Sequence, residues 1–138
     1  MKAGPGVVSL CAALLAGCGG SGGEGAAAFA AFNPGPAPDS LRHGEAIFNT
    51  YCISCHGRHA TGQGLGPPLL DTLYRPAQLP EEAIYNAVER GVNQNHWHYG
   101  AMPKIHRVGR GEVAEIIAYL RWLQQRVGPA AAPAPGGR

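Results

Sequence analysis

The chain has 138 residues, with 11 Lys and Arg against 9 Asp and Glu, a formal net charge of +2, and 45% hydrophobic residues. Once its Gly-, Ala- and Pro-rich ends are set aside, that length holds one modest domain. A near-neutral balance with no basic tract and no aromatic-basic stripe excludes a nucleic-acid binder.

The first element is a leader. Lys2 precedes the apolar run VVSLCAALLAG, which is too short to span a bilayer as a permanent helix but suits the hydrophobic part of a secretory signal. The run ends in LAGC at 15–18, which resembles the lipobox of bacterial lipoproteins. That resemblance implies a signal peptide over 1–17, cleavage before Cys18 and lipid on Cys18. The protein is then exported to the periplasm or cell surface and anchored to a membrane. Residues 18–39 are rich in Gly, Ala and Pro, lack any helical or strand period, and read as a flexible tether.

The folded domain is expected over 40–126. Asp39 or Ser40 offers an N-cap, and Leu41, Ala46, Ile47, Phe48 and Tyr51 recur at helical spacing up to Cys52. GRHATGQGLGPPLLDTLYRP (57–76) is a long Gly- and Pro-rich loop. Pro80 sits where a first helical residue belongs, Glu81 and Glu82 fill the first turn, and Ile84, Tyr85 and Val88 form a stripe that Gly91 ends. After a second loop, VNQNHWHYGAMPKIHRV, Gly109 as N-cap and Glu112 open the clearest helix. Its apolar face is Val113, Ile116, Ile117, Leu120 and Leu123. Gly128 and Pro129 stop it, and 127–138 reads as a disordered tail. The pattern predicts an all-α fold of three or more helices and long loops. Its apolar side chains are too few to fill a core, so an internal apolar ligand is physically attractive.

Cys11 lies in the leader and Cys18 is committed to lipid, so Cys52 and Cys55 are the only cysteines left to the domain. They stand in YCISCHG at 51–57. A thioredoxin-like redox pair needs a strand before it, and a helical stripe precedes this one. A zinc site needs four ligands; His96 and His98 could complete a set, but that leaves His56 and the long loops unexplained. A covalent haem uses every residue. Two cysteines separated by two residues reach the two vinyl groups along one porphyrin edge, and His56 follows as the proximal iron ligand. Export favours the same reading, since this attachment occurs outside the cytoplasm. The sixth ligand is expected to be Met102, the one methionine beyond Met1, held in GAMPK between a permissive Gly and a rigid Pro. Ligation by His96, His98 or His106 instead is the alternative.

CISCH, GPPL at 66–69, AMPK at 101–104 and EVAEIIAYLRWL together resemble the class I, mono-haem cytochromes c, over nearly all of 40–126. The resemblance implies a small all-α globule around one haem c attached through Cys52 and Cys55. In it Gly44 and Phe48 of the first helix meet Tyr119 or Trp122 of the last, and the Pro67 carbonyl accepts from His56. It implies a one-electron carrier in a respiratory or related periplasmic redox chain, with redox proteins as partners and no small-molecule substrate. Both axial positions filled by protein would keep oxygen and peroxide off the iron. Arg58, Lys104, Arg107 and Arg110 are candidates to steer an acidic partner, and Tyr74, Arg75, Trp97 and Tyr99 to meet the haem propionates. The competing readings are a haem enzyme or sensor with a labile sixth ligand, and a copper-linked cytochrome using His96 and His98.

Overall fold

The apolar stripes become helices close to where their spacing predicts. The computed structural model describes residues 28–62, 65–95 and 98–128. These contain α1 (Arg42–Tyr51), α2 (Ile53–His56), α3 (Glu81–Arg90) and α4 (Arg110–Val127), with short 3-10 turns at Asp39–Leu41, Arg58–Ala60 and Thr72–Tyr74. No strand occurs among the described residues; one isolated antiparallel bridge pairs Val92 with Met102. The expected all-α fold class holds.

Helix α4 is the backbone of the domain. Gly109 precedes it, and its amide donates to the Glu112 carboxylate at 2.7 Å, which satisfies an otherwise orphaned donor. The whole expected face, Val113, Ile116, Ile117, Leu120 and Leu123, is buried together with Tyr119. Each such aliphatic burial is worth about 1.5–3 kcal/mol. Its main partner is α1, which buries Ile47 and Phe48. The crossing point is Gly44: a Cβ there would run into the carbonyl group of Glu115, so only glycine lets the two backbones come this close. Phe48 and Tyr119 pack beside the crossing with ring centroids 5.8 Å apart, and Tyr119 stacks on Trp122 at 5.9 Å.

Two helix starts differ from expectation. Leu41, not Asp39 or Ser40, occupies the N-cap of α1, because the chain enters through a 3-10 turn whose backbone already supplies the bond from the Leu41 amide to the Pro38 carbonyl. Asp39 instead pairs with Arg42 at 2.7 Å. Pro80 is the N-cap of α3 rather than its first residue, since its ψ of 149 is extended.

The larger correction concerns the segment before α1, expected to be flexible tether as far as 39. Phe29 is 3% exposed and Ala37 6%, both within the hydrophobic core. Phe32 stands edge-on to the His59 ring, with centroids 6.5 Å apart. Residues 28–37 therefore form a strap packed on the domain, held by two phenylalanines whose apolar area outweighs the freedom of a Gly- and Pro-rich chain. The leader, Cys18, residues 18–27 and the tail beyond Gly128 lie outside the described residues.

Candidate haem-binding site

Helices α1, α3 and α4 and the two long loops leave a cavity of about 340 Å³ between them. Phe48, Leu69, Ile84, Val88, Ile116 and Leu120 make much of its wall. Ile84 is only half-buried because the α3 stripe faces this cavity instead of another helix. The void is the missing core that the sequence implied.

Cys52, His56, Pro67 and Met102 all line this one cavity. Cys52 is the hinge between α1 and α2, and its amide donates to the Phe48 carbonyl at 2.8 Å, so the cysteine motif continues directly from the first helix. Cys55 is half-buried one turn on, with Gly66 against its backbone; a Cβ on Gly66 would sit 3.0 Å from the Cys55 carbonyl oxygen. Burial, and then the neighbouring Cys55, push the Cys52 thiol up to about 11. That protonated thiol is the opposite of the activated thiolate a redox pair requires.

His56 is buried, and its Nδ1–H donates to the Pro67 carbonyl at 2.9 Å. Burial holds the imidazole below its ordinary range, while the Pro67 bond opposes this in part. The ring is thus neutral, with one nitrogen committed and Nε2 left as a lone-pair donor, the arrangement typical of an iron-ligating histidine. The loop beneath closes on itself: the Gly62 amide donates to the His56 carbonyl at 2.7 Å and the Leu69 amide to the Ala60 carbonyl at 2.9 Å. It turns through His59 and Ala60 at φ 53 and 61, a left-handed pair unusual outside glycine.

Met102 reaches the same cavity from far along the chain. Its amide donates to the Val92 carbonyl at 2.8 Å and its carbonyl accepts from the Val92 amide at 2.9 Å, while the Ile105 amide donates to the Val88 carbonyl at 2.9 Å. The loop is therefore fastened to the end of α3.

The remaining candidates divide. Tyr74 and Tyr99 line the cavity; Arg75 does not. Nη2 of Arg75 donates to the Gly128 carbonyl at 2.7 Å, and its Nε is buried without a partner, an unspent donor of the kind a carboxylate takes. Arg110 is already engaged, bonded to Glu82 at 2.7 Å and Glu89 at 3.0 Å and lying over the Tyr85 ring at 4.2 Å. It joins α3 to α4 while remaining exposed, as Arg58, Lys104 and Arg107 are. His96 and Trp97 lie outside the described residues. His98 and His106 are exposed, and His98 sits 3.5 Å from the Gln94 amide. Among the described residues no group of three His, Cys, Asp or Glu could hold a separate metal ion.

Sequence reading missed Gln124. This buried amide donates to the carbonyls of Leu69 at 2.8 Å and Tyr74 at 3.1 Å, and its oxygen accepts from Arg121 at 2.9 Å. It thereby ties the loop after His56 to α4. It also lines the cavity, whose rim is completed by Asn93, Gln94 and Asn95. A glutamine next to an apolar stripe near a helix end carries no signal that would distinguish it from a surface residue.

Taken together, an apolar cavity lined by Cys52 and Met102, with Cys55 one turn on from Cys52 and a neutral histidine aimed by a carbonyl, fits a covalent haem. Residues 39–120 match the family described as cytochrome c oxidase, cbb3-type, subunit III. The chain belongs to this c-type cytochrome family. It is also similar to cytochrome c-L of Methylorubrum extorquens, 33% identical over 85 residues. That likeness covers 60% of this chain but only 40% of the relative's length. No solved structure matches the chain. A c-type cytochrome domain implies haem c and an electron-carrier role.

Proposed function

We propose that this protein is a one-electron carrier whose single haem c is attached through Cys52 and Cys55 and ligated by His56 and Met102. When bound, the haem supplies the Fe(III)/Fe(II) couple. The protein's own residues do the rest. Pro67 fixes the His56 ring and its tautomer, the α3 end holds the Met102 thioether, and the apolar faces of α3 and α4 keep water out. The observation that carries the reading is the meeting of His56 and Met102 on one cavity. Apart from His56, none of the described residues that line the cavity is a histidine, carboxylate or cation, which favours a carrier over an enzyme needing a distal acid or base.

The electron route, by the same proposal, runs between redox proteins at a membrane, with lipid on Cys18 as the anchor and a periplasmic or outer-surface location. The family description points to a terminal oxidase as the first acceptor to try. The test is a redox titration of the purified holoprotein, followed by mixing it with membranes of its own organism. A single one-electron wave and rapid exchange with the membranes are expected; a holoprotein that exchanges with no donor or oxidase overturns the carrier role. Cys18→Ala should release the protein from the membrane fraction, and retention would contradict lipid anchoring.

A further inference from the structure

Between Val92 and Met102 the chain makes a polar excursion, and both of its ends are fixed by two backbone bonds, Met102 amide to Val92 carbonyl at 2.8 Å and Val92 amide to Met102 carbonyl at 2.9 Å. Immediately before Val92 stands Gly91, which ends α3 with φ +78, a conformation that side chains rarely adopt. A Cβ at Gly91 would lie 2.6 Å from the Met102 carbonyl oxygen and 3.1 Å from the Lys104 amide nitrogen, both backbone atoms that cannot swing aside. Gly35, in the strap before α1 and away from the cavity, has φ +75 but no atom of the described residues within 4 Å of its would-be Cβ. The two glycines share the same backbone demand and differ in what they touch.

We infer that Gly91 is a positioning residue for the Met102 thioether: with the Val92–Met102 bridge it forms a clamp that registers the methionine against the end of α3. Because the bridge closes below it, the excursion over 93–101 can carry bulky or polar residues without displacing the ligand. The inference rests on Met102 being the iron ligand and adds how that ligand is held.

The experiment compares the exported, haem-loaded full chain with Gly91→Ala and Gly35→Ala. The readouts are the thioether-to-iron charge-transfer band of the oxidised protein and carbon monoxide binding by the reduced protein, with thermal melts to register folding separately. Gly91→Ala should lose most of the band and bind carbon monoxide readily, while Gly35→Ala keeps the band and excludes the gas. If Gly91→Ala does not accumulate, Val92→Pro is read in its place, because it deletes the one amide that donates to the Met102 carbonyl. Loss of the band there supports the clamp and full retention overturns it. A wild-type band retained in Gly91→Ala, or lost equally in Gly35→Ala, overturns the inference alone. A wild type with no such band removes the Met102 ligand reading and the inference with it.

Discussion

The Gln124 side-chain amide donates to the Leu69 carbonyl at 2.8 Å, joining the last helix to the loop that carries Pro67. Because Pro67 in turn accepts from His56, the orientation of the His56 imidazole is referred back to α4 through two hydrogen bonds. Replacing Gln124 by Leu preserves approximate volume but strands the Leu69 carbonyl, while the Tyr74 carbonyl keeps its bond from Arg121 at 2.6 Å. The expected loss is about 1–3 kcal/mol of stability, read as an earlier denaturation midpoint of the holoprotein. An unchanged midpoint would mean that water replaces the amide without penalty.

Gly44→Ala is expected to be at least as damaging. Its Cβ meets the Glu115 carbonyl across the α1–α4 crossing, so the helices must separate, at about 1–3 kcal/mol. Equilibrium unfolding followed through the haem absorbance measures this. A wild-type midpoint would show that the crossing tolerates a methyl group and that the contact is looser than its geometry.

The packed strap predicts a pH effect. His59, which faces Phe32, is held below its ordinary value of 6.5 by burial and then by Arg58, with Glu45 and a bond to the Phe32 backbone acting the other way. A histidine with a lowered folded value takes up its proton first when released, so the stabilisation is complete above 6.5 and is lost as pH falls through the folded value. Protection of the amides of 29–37 against hydrogen exchange, corrected for intrinsic rates, should therefore drop on acidification through that range. His59→Phe should remove the drop. An identical drop in that variant would assign the effect to another group.

These features differ in how far the sequence disclosed them. The α4 stripe from Val113 to Leu123 and the cysteine motif were legible because one helix face and one attachment chemistry each impose a fixed spacing on neighbouring residues. Gly44 and Pro67 were legible through the family resemblance: Gly44 lies against the Glu115 backbone, and the Pro67 carbonyl accepts from His56. Phe29 was not legible, since two aromatic residues within a Gly-, Ala- and Pro-rich stretch have no period, and its burial depends on a surface made by distant parts of the chain. Nor was the Val92–Met102 bridge, because a single pair of residues leaves no alternation to read. The ion pairs of Arg110, a candidate to steer an acidic partner, were not legible either, because Glu82 and Glu89 lie on a helix whose placement only the fold reveals.

The account stands on His56 and Met102 acting together across one cavity, and the spectrum of Met102→Ala tests this most directly. The oxidised wild type should be low-spin with a thioether charge-transfer band, and its reduced form should bind carbon monoxide poorly. In Met102→Ala the band should vanish, the potential should fall, and carbon monoxide should bind readily. A variant that keeps the wild-type band, potential and resistance to carbon monoxide would contradict the account, because another residue would then hold the iron.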